Sequence, residues 1–210
     1  MGAPALKLVT PSHENGTVVK RRPPRQAKKV GRKHLTAAEI HRLIEAVRER
    51  SRYVLRDAIA IETAFRHGFR VSELVALEWS DIDLNAGTIL VRRLKGGVTA
   101  THYLEGSEIR AFRKLRREGT TGERFVFVTE RDGEQMTAAG FRAMLARAGK
   151  AAGLQVHAHP HALRHATGYH LANRGKDTRT LSGWLGHKSL QHTQRYTELA
   201  PIRFKGFWED

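Results

Sequence analysis

Apolar residues recur first at the spacing of an α-helix and later at the spacing of a β-strand. This pattern constrains the fold of the chain more than any other feature. From position 35 the sequence reads LTAAEIHRLIEAVRER, in which Ile40, Leu43 and Val47 recur at helical spacing. Thr36 followed by Glu39 forms a capping box at the start of this segment. We therefore expect order to begin with a capped amphipathic helix.

Segments with the composition of β-strands follow the first helices. GTILVRRL and ATHYLEG have strand composition and flank KGGV, whose paired glycines suit a hairpin turn. RFVFVTE is predicted as a further short strand. Further helices are predicted for RYVLRDAIAIETAFRHG, VSELVALEW, SEIRAFRKLRREG, TAAGFRAMLARAGKAAG, HALRHATGYHLANRG, DTRTLSGWLGH and SLQHTQRYTELA. The predicted fold class is mainly α with a small antiparallel β-sheet (α+β).

Charge indicates the kind of partner. Lys and Arg number 37 against 21 Asp and Glu, which gives a formal net charge of +16. Such an excess attracts polyanions, so nucleic acid is the first candidate and a membrane surface the second. The sequence contains no cysteine, no apolar run long enough to span a bilayer and no segment of signal-peptide type. We expect a cytoplasmic, nucleoid-associated bacterial protein without a membrane partner.

The first 34 residues differ from the rest in composition. VVKRRPPRQAKKVGRKH combines basic residues with two prolines and few apolar side chains, so it cannot form a core. The segment is interpreted as a flexible basic arm that binds DNA, or alternatively as a solvated linker. A folded domain is predicted over residues 35–210, with a tail over 201–210. The candidate DNA-binding residues of the arm are Lys20, Arg21, Arg22, Arg25, Lys28, Lys29, Arg32 and Lys33.

Several basic and nucleophilic residues occupy special positions in this outline. They lie at a helix start, on the hairpin, on one face of a helix, after a helix-ending glycine, and near the C-terminus. These candidates are Arg70, Lys95, His161, Arg164, His187 and Tyr196. Each alone has an ordinary explanation as a solvated charge, a helix cap or a packed ring. A metal site at HPH lacks a nearby carboxylate or cysteine, so no metal or other cofactor is expected.

Taken together, these residues carry a resemblance to a known family. HGFRVSELVALEWSDIDL, LKGG, HPHALRHATGYHLANRG and LGHKSLQHTQRYTEL resemble the successive boxes of the tyrosine recombinase (phage integrase) family, in its order and spacing. The resemblance covers roughly residues 35 to 200 and looks closest to the short fimbrial phase-variation recombinases. It implies the family's catalytic-domain fold and cleavage and rejoining of duplex DNA through a 3′-phosphotyrosine intermediate.

The resemblance also implies a role for each candidate. Arg70 and Arg164 would grip the non-bridging phosphate oxygens, and such fixed charges stabilise the transition state. Tyr196 would be the nucleophile, and His161 its proton acceptor. His187 would donate to a phosphate oxygen, and Lys95 would protonate the departing 5′ oxygen. Glu73 and His165 are expected to support the residues that contact the phosphate, without contacting it themselves.

The family pattern further implies a homotetramer on two specific recombination sites, with a monomer in solution and accessory DNA-bending proteins as possibilities. Inversion is expected, with integration or excision as the other outcome. A type IB topoisomerase, a non-catalytic DNA-binding regulator and a metal-dependent nuclease are the alternatives. Two departures stand out: no basic residue directly follows the KGGV turn, and only the basic arm precedes Thr36. In the tail, Phe204, Phe207 and Trp208 are expected to dock on a neighbouring protomer or to cover the domain's own core.

Overall fold

A computed structural model describes residues 32, 34–94, 96–118, 123–129, 133–198 and 200–205, and the folded unit begins at Arg32. Eight α-helices are present in this part of the chain: α1 Ala37–Arg50, α2 Val54–Arg66, α3 Val71–Val75, α4 Gly106–Glu118, α5 Ala138–Ala151, α6 Pro160–Asn173, α7 Thr178–Leu185 and α8 Gln191–Thr197. Short 3-10 helices occur at Trp79–Asp81 and Pro201–Phe204. None of these helices is long and apolar enough to cross a membrane.

The first helix forms as its sequence predicts. Thr36 Oγ1 accepts from the Glu39 N–H at 3.2 Å, and Glu39 Oε2 accepts from the Thr36 N–H at 2.8 Å. This reciprocal pair satisfies two backbone donors that would otherwise lack partners at the helix start. Ile40, Leu43 and Val47 are buried on the inner face, so the predicted capping box and apolar stripe are both confirmed.

The sheet has three antiparallel strands in the order β1 (Ile82–Asp83), β2 (Thr88–Val91) and β3 (Ala100–Tyr103). Thr88 pairs with Tyr103 and Val91 with Ala100, as the predicted hairpin requires. The prediction of a strand over RFVFVTE is wrong. The segment makes only isolated bridges, because its buried side chains pack the core while its backbone pairs with irregular segments. The third strand comes instead from Ile82–Asp83, within a stretch that reads as a turn.

Helix α6 is central to the domain. It packs against α2, α7 and α8. The main hydrophobic core extends from α1 and α2 through the sheet to α5 and the first half of α6. A smaller apolar cluster joins the end of α6 to α7 and α8 and includes Tyr196. The mainly helical class with a small antiparallel sheet is confirmed, and residues from both clusters meet along α6.

Candidate active site

The turn between α2 and α3 carries the first predicted arginine. Gly68 has φ 61°, and a Cβ there would lie 2.6 Å from Leu185 Cδ2, so the close approach of α7 requires glycine. Arg70 Nη1 donates to Glu73 Oε1 at 2.7 Å, and the Arg70 N–H donates to Oε2 at 2.9 Å. The Arg70 side chain is 33% exposed. Glu73 therefore orients a guanidinium group that is still accessible from solvent.

A second arginine, Arg93, lies behind the first. Its Nη1 donates to Glu73 Oε2 at 2.8 Å and to the Gly68 carbonyl at 3.1 Å, and its Nη2 donates to the carbonyls of His67 and Trp184 at 3.1 and 2.7 Å. Burial alone would raise the pKa of Glu73, but its hydrogen bonds and ion pairs with the two arginines hold that pKa below its usual value. The Arg93 side chain therefore connects the end of β2 to the start of α3 and to the end of α7.

The third arginine, Arg164, projects from α6 and is 5% exposed. Its Nη1 donates to the Gly68 carbonyl, which Arg93 also uses, and its Nη2 donates to the Leu185 carbonyl. Burial, followed by the charges of Arg93 and Arg70, lowers the pKa of Arg164 to about 9. The group therefore stays charged at neutral pH, although no described carboxylate bonds to it.

Arg70, Arg93, Arg164 and Glu73 together form what we call the arginine cluster. Within the described residues, the cluster holds three guanidinium groups and one carboxylate: Glu73 bonds to Arg70 and Arg93, whereas Arg164 bonds to main-chain carbonyls. Taking charges out of water is costly unless opposite charge compensates them, so an excess of buried cations favours binding of an anion. The planar guanidinium fork matches the oxygens of a phosphate group.

His187 follows the left-handed residue Gly186, which ends α7 with φ 63°. The His187 Nδ1 lies 2.7 Å from Thr193 Oγ1, and this contact links the end of α7 to α8. Burial lowers the pKa of His187 to about 4, with further contributions from Arg164 and Arg70. The ring is therefore neutral near pH 7 and lies within the electrostatic reach of the arginine cluster.

Tyr196, on α8, lies in a slot built by consecutive turns of α6. Its hydroxyl is 2.8 Å from His165 Nδ1. A Cβ at Gly168 would lie 2.8 Å from the Cε1, Cε2 and Cζ atoms of the tyrosine, so the ring rests directly on the glycine. The ring of Tyr169 meets it edge-on, with centroids 5.1 Å apart and an interplanar angle of 88°. We call His165, Gly168, Tyr169 and Tyr196 the tyrosine slot.

Protonation in the tyrosine slot follows from burial. Burial raises the pKa of Tyr196, and the charges of Arg164 and Arg195 partly offset that effect. Burial, followed by the charge of Arg195, lowers the pKa of His165 to about 4. At neutral pH the phenol is protonated and the imidazole neutral, and in the tautomer with the proton on Nε2 the Tyr196 hydroxyl donates to His165 Nδ1.

The other predicted residues are placed differently. His161 is exposed on the first turn of α6, with its ring edge-on to His159 at a centroid distance of 6.3 Å. Lys95 lies outside the described residues. Of the candidate DNA-binding residues of the arm only Arg32 is described, and its Nη2 donates to Glu39 at 2.6 Å. The tail residues Phe207 and Trp208 also lie outside the described residues, whereas Phe204 is 57% exposed.

Sequence reasoning missed two contributors. Arg93 is not among the residues predicted from the sequence, yet it bonds to three of the segments around the site. The signal was present in the strand period, because Ile89, Val91 and Arg93 alternate onto one buried face. Gly168 gave no comparable signal, since its role depends on a ring from a helix 28 positions later in the chain.

No cluster of three or more His, Cys, Asp or Glu side chains that could hold a metal ion occurs among the described residues. In the described part of the chain, the arginine cluster supplies cations to the site as guanidinium groups. A mainly helical domain with an arginine cluster and a partly shielded tyrosine on a short helix has the groups that DNA strand transfer through a phosphotyrosine requires.

The family follows from comparison with known proteins. The model of the phage integrase family matches residues 33–203, and the chain belongs to that family. The type 1 fimbriae regulatory protein FimE of Escherichia coli (strain K12) is 39% identical over 183 residues, covering 85% of this chain and 91% of FimE. FimB of the same strain is 36% identical over 181 residues, covering 85% of this chain and 90% of FimB.

Longer relatives match over part of their length. The tyrosine recombinase XerD of Ralstonia nicotianae is 36% identical over 179 residues, which is 82% of this chain and 58% of XerD. Among solved structures, the XerA recombinase is similar with a TM-score of 0.68 and 30% identity, over 84% of this chain and 61% of XerA. A lambda integrase dimer bound to a COC' core site matches with a TM-score of 0.65 and 26% identity, over 89% of this chain and 53% of that one.

These comparisons confirm the predicted family, the catalytic-domain fold and the enzyme class. The protein is a site-specific DNA recombinase, and DNA is its partner. They favour recombination over the topoisomerase and non-catalytic alternatives.

Proposed function

We propose that the arginine cluster binds the scissile phosphodiester and that Tyr196 attacks it to form the 3′-phosphotyrosine. The observation that carries this proposal is Arg164, a buried cation that bonds only to carbonyls among the described residues and lies close enough to influence the pKa of Tyr196. Arg70 supplies the second guanidinium and is held by Glu73. Attack on phosphorus adds negative charge to the non-bridging oxygens, and preorganised cations stabilise that charge.

Proton transfer from the nucleophile is the second part of the proposal. The 2.8 Å hydrogen bond between Tyr196 and the neutral ring of His165 supports His165 as the first proton acceptor. His161, to which the family pattern gives that role, then contacts the phosphate or relays the proton from its exposed position at the start of α6. His187, neutral and bonded to Thr193 through Nδ1, donates to a phosphate oxygen through Nε2. Lys95, on the hairpin between β2 and β3, protonates the departing 5′ oxygen.

A covalent complex with DNA tests this mechanism. Wild-type protein is mixed with a duplex that is nicked next to the cleavage site, so that the short 5′-hydroxyl fragment diffuses away and the complex accumulates. The DNA is taken from the genomic surroundings of the protein's own gene. Wild type is expected to form a denaturation-resistant protein–DNA complex in the presence of chelator, and Tyr196→Phe to form none. A complex with Tyr196→Phe, or cleavage that chelator abolishes, would contradict the proposal.

The reaction as a whole is proposed to invert a DNA segment bounded by inverted sites. Four protomers act on two sites and exchange the strands in two steps through a four-way junction, with accessory DNA-bending proteins setting the direction. The similarity to the two fimbrial regulators over nearly their whole length supports this choice over integration or excision. Substrates carrying two sites in inverted or direct orientation distinguish the outcomes, because inversion and deletion give products of different length. A cytoplasmic location at the nucleoid belongs to the same proposal.

The basic arm is proposed to bind DNA phosphates without sequence preference, and residues 35–210 to carry the catalysis. Neutralising phosphates releases counterions, so affinity that comes from the arm falls as salt concentration rises. Deletion of residues 1–31 is expected to weaken DNA binding and to flatten its dependence on salt, while Arg32 and its ion pair with Glu39 are kept. Equal affinity and equal salt slope in the truncated protein would reject a DNA-binding arm and favour a solvated linker.

A further inference from the structure

The first residues of the folded unit make a ring contact with α6. The imidazole of His34 stacks on the ring of Tyr169, with centroids 3.9 Å apart and an interplanar angle of 24°. His34 is restrained on both sides along the chain. Arg32 pairs with Glu39 at 2.6 Å, and Leu35 is 1% exposed within the main core. The imidazole is therefore held against Tyr169 by the anchoring of its neighbours.

The ring of Tyr169 in turn borders the nucleophile. It meets the Tyr196 ring edge-on at 5.1 Å, a geometry that aromatic pairs favour because the positive ring edge faces the negative ring face. Gly168 supports the nucleophile's ring, and His165 Nδ1 makes a hydrogen bond with its hydroxyl. Tyr169 is thus the residue of the slot that joins the nucleophile to a segment outside α6 and α8.

We propose that Tyr169, seated by the stacked ring of His34, is a positioning residue that holds the Tyr196 phenol in its attacking orientation. This proposal rests on Tyr196 being the nucleophile. Tyr169 is not a catalytic residue, because it acts through the Tyr196 ring and not on the reacting atoms.

The physical reason lies in how a short helix holds a long side chain. Helix α8 spans only Gln191–Thr197, and the phenol oxygen lies at the far end of a side chain with two rotatable bonds. Removing one wall of the slot allows the ring to tilt, so the hydroxyl occupies the attacking geometry for a smaller fraction of the time. Loss of this contact is therefore expected to lower the rate of attack. The affinity for DNA depends on other groups and is expected to stay the same.

Four variants test the proposal: Tyr169→Ala, His34→Ala, Tyr169→Phe and His170→Ala. Tyr169→Phe keeps the ring and removes only the hydroxyl. His170 is the matched control, because it follows Tyr169 on α6 and makes a ring contact with Phe65, at 5.6 Å, instead of with the nucleophile. For each variant, the first-order rate of covalent-complex formation is measured at saturating protein, the dissociation constant for DNA is measured separately, and thermal melting is recorded.

The proposal predicts a loss of rate without a loss of affinity. Tyr169→Ala and His34→Ala are expected to slow cleavage by about twofold to tenfold, the range typical of aromatic pair energies, with Tyr169→Ala the slower of the two. Tyr169→Phe and His170→Ala are expected to cleave at the wild-type rate, even if His170→Ala lowers the melting temperature.

Other outcomes overturn it. Equal rates for wild type, Tyr169→Ala and His34→Ala would show that the rings only pack, and faster cleavage would show that they restrain the nucleophile. Loss of rate in His170→Ala to the same extent would assign the effect to general destabilisation of α6. If Tyr169→Ala does not fold, the cleavage rate of His34→Ala tests the proposal. Failure of wild type itself to form a complex would count against the proposed nucleophile and is distinct from all these results.

Discussion

The arginine cluster and the tyrosine slot, which meet at α6, hold their functional groups by different means. In the arginine cluster, Arg93 and Arg164 donate to main-chain carbonyls from two separate segments, and these hydrogen bonds have strict directions. In the tyrosine slot, ring contacts and a single hydrogen bond hold Tyr196. Ring contacts tolerate small shifts, and the hydrogen bond to His165 must change when the hydroxyl reacts. The cluster is thus a fixed template for the phosphate, whereas the slot allows a nucleophile to move.

This difference predicts unequal responses to mutation, with the largest loss of cleavage rate in the arginine cluster. Arg164→Ala removes a preorganised cation that no neighbouring side chain can replace. We expect the rate of covalent-complex formation to fall by about a hundredfold to a thousandfold, the range found when one transition-state donor is lost. Single-turnover cleavage of the nicked duplex at saturating protein measures the effect.

Arg56 offers a matched control for this substitution. It is also buried, at 8% exposed, and it bonds to Asp57 and to the Val128 carbonyl. Arg56→Ala is expected to lower the melting temperature and to leave the cleavage rate unchanged below that temperature. Equal losses of rate in the two variants would remove the distinction between a phosphate template and an ordinary buried arginine.

A smaller effect is expected from filling the floor of the tyrosine slot. Gly168→Ala places a Cβ 2.8 Å from three ring atoms of Tyr196, so the ring must shift. We expect cleavage to slow by about tenfold to a hundredfold, because small displacements of a reacting group are costly. Single-turnover rates and dissociation constants for DNA separate this effect from any change in binding.

Gly149→Ala provides the corresponding control. It also creates an overlap within a helix, with the added Cβ 2.6 Å from Ala158 Cβ, but its neighbour is not a site residue. Both variants should lose stability, and only Gly168→Ala should lose rate. A wild-type rate in Gly168→Ala would mean that the slot does not define the position of the nucleophile.

The smallest expected effect is a dependence of DNA affinity on pH. It involves His165 in the tyrosine slot and His187 near the arginine cluster. The pKa values of His165 and His187 lie at about 4 in the free protein, lowered first by burial and then by nearby cations. A bound phosphate brings negative charge that raises both pKa values, so DNA binding takes up protons at pH values above about 4. We expect affinity to increase as the pH falls from 7 towards 5, by at most about tenfold per pH unit for each proton taken up.

Calorimetric titrations in buffers of different ionisation enthalpy measure this uptake directly. His187→Ala should reduce it, and proton release on binding would contradict the account. Stability has the opposite dependence. Above their ordinary pKa of 6.5 the rings are neutral in both the folded and the unfolded protein. As the pH falls from 6.5 towards about 4, the unfolded state takes up these protons first, so the folded state loses stability. The affinity measurements therefore need a parallel melting curve at each pH.

The same contrast explains what the sequence could predict. Local signals are strong where a segment determines its own structure, so the capping box at Thr36, the apolar stripe of α1 and the hairpin between β2 and β3 are predictable. The family boxes identify Arg70, Arg164, His187 and Tyr196 as candidates, but they carry no distances. Contacts between segments that lie far apart in sequence depend on how helices pack.

Two particular contacts illustrate that limit. Arg93 reaches the Trp184 carbonyl across 91 positions, and Tyr196 reaches His165 across 31. The family pattern gives the proton-accepting role to His161, yet packing of α8 on α6 brings the next histidine along the helix to the hydroxyl. One helical turn separates the two histidines, and only the packed structure distinguishes them.

The central claim is that fixed cations act on the charge of the scissile phosphodiester. A duplex in which a methyl group replaces one non-bridging oxygen of that phosphodiester removes the charge and keeps the bond to be broken. The decisive quantity is the ratio of wild-type to Arg164→Ala cleavage rates on each substrate. We predict a ratio of about a hundred or more on the phosphodiester and below about ten on the neutral substrate. Equal ratios on both substrates would show that Arg164 supports the fold alone, and would contradict the account.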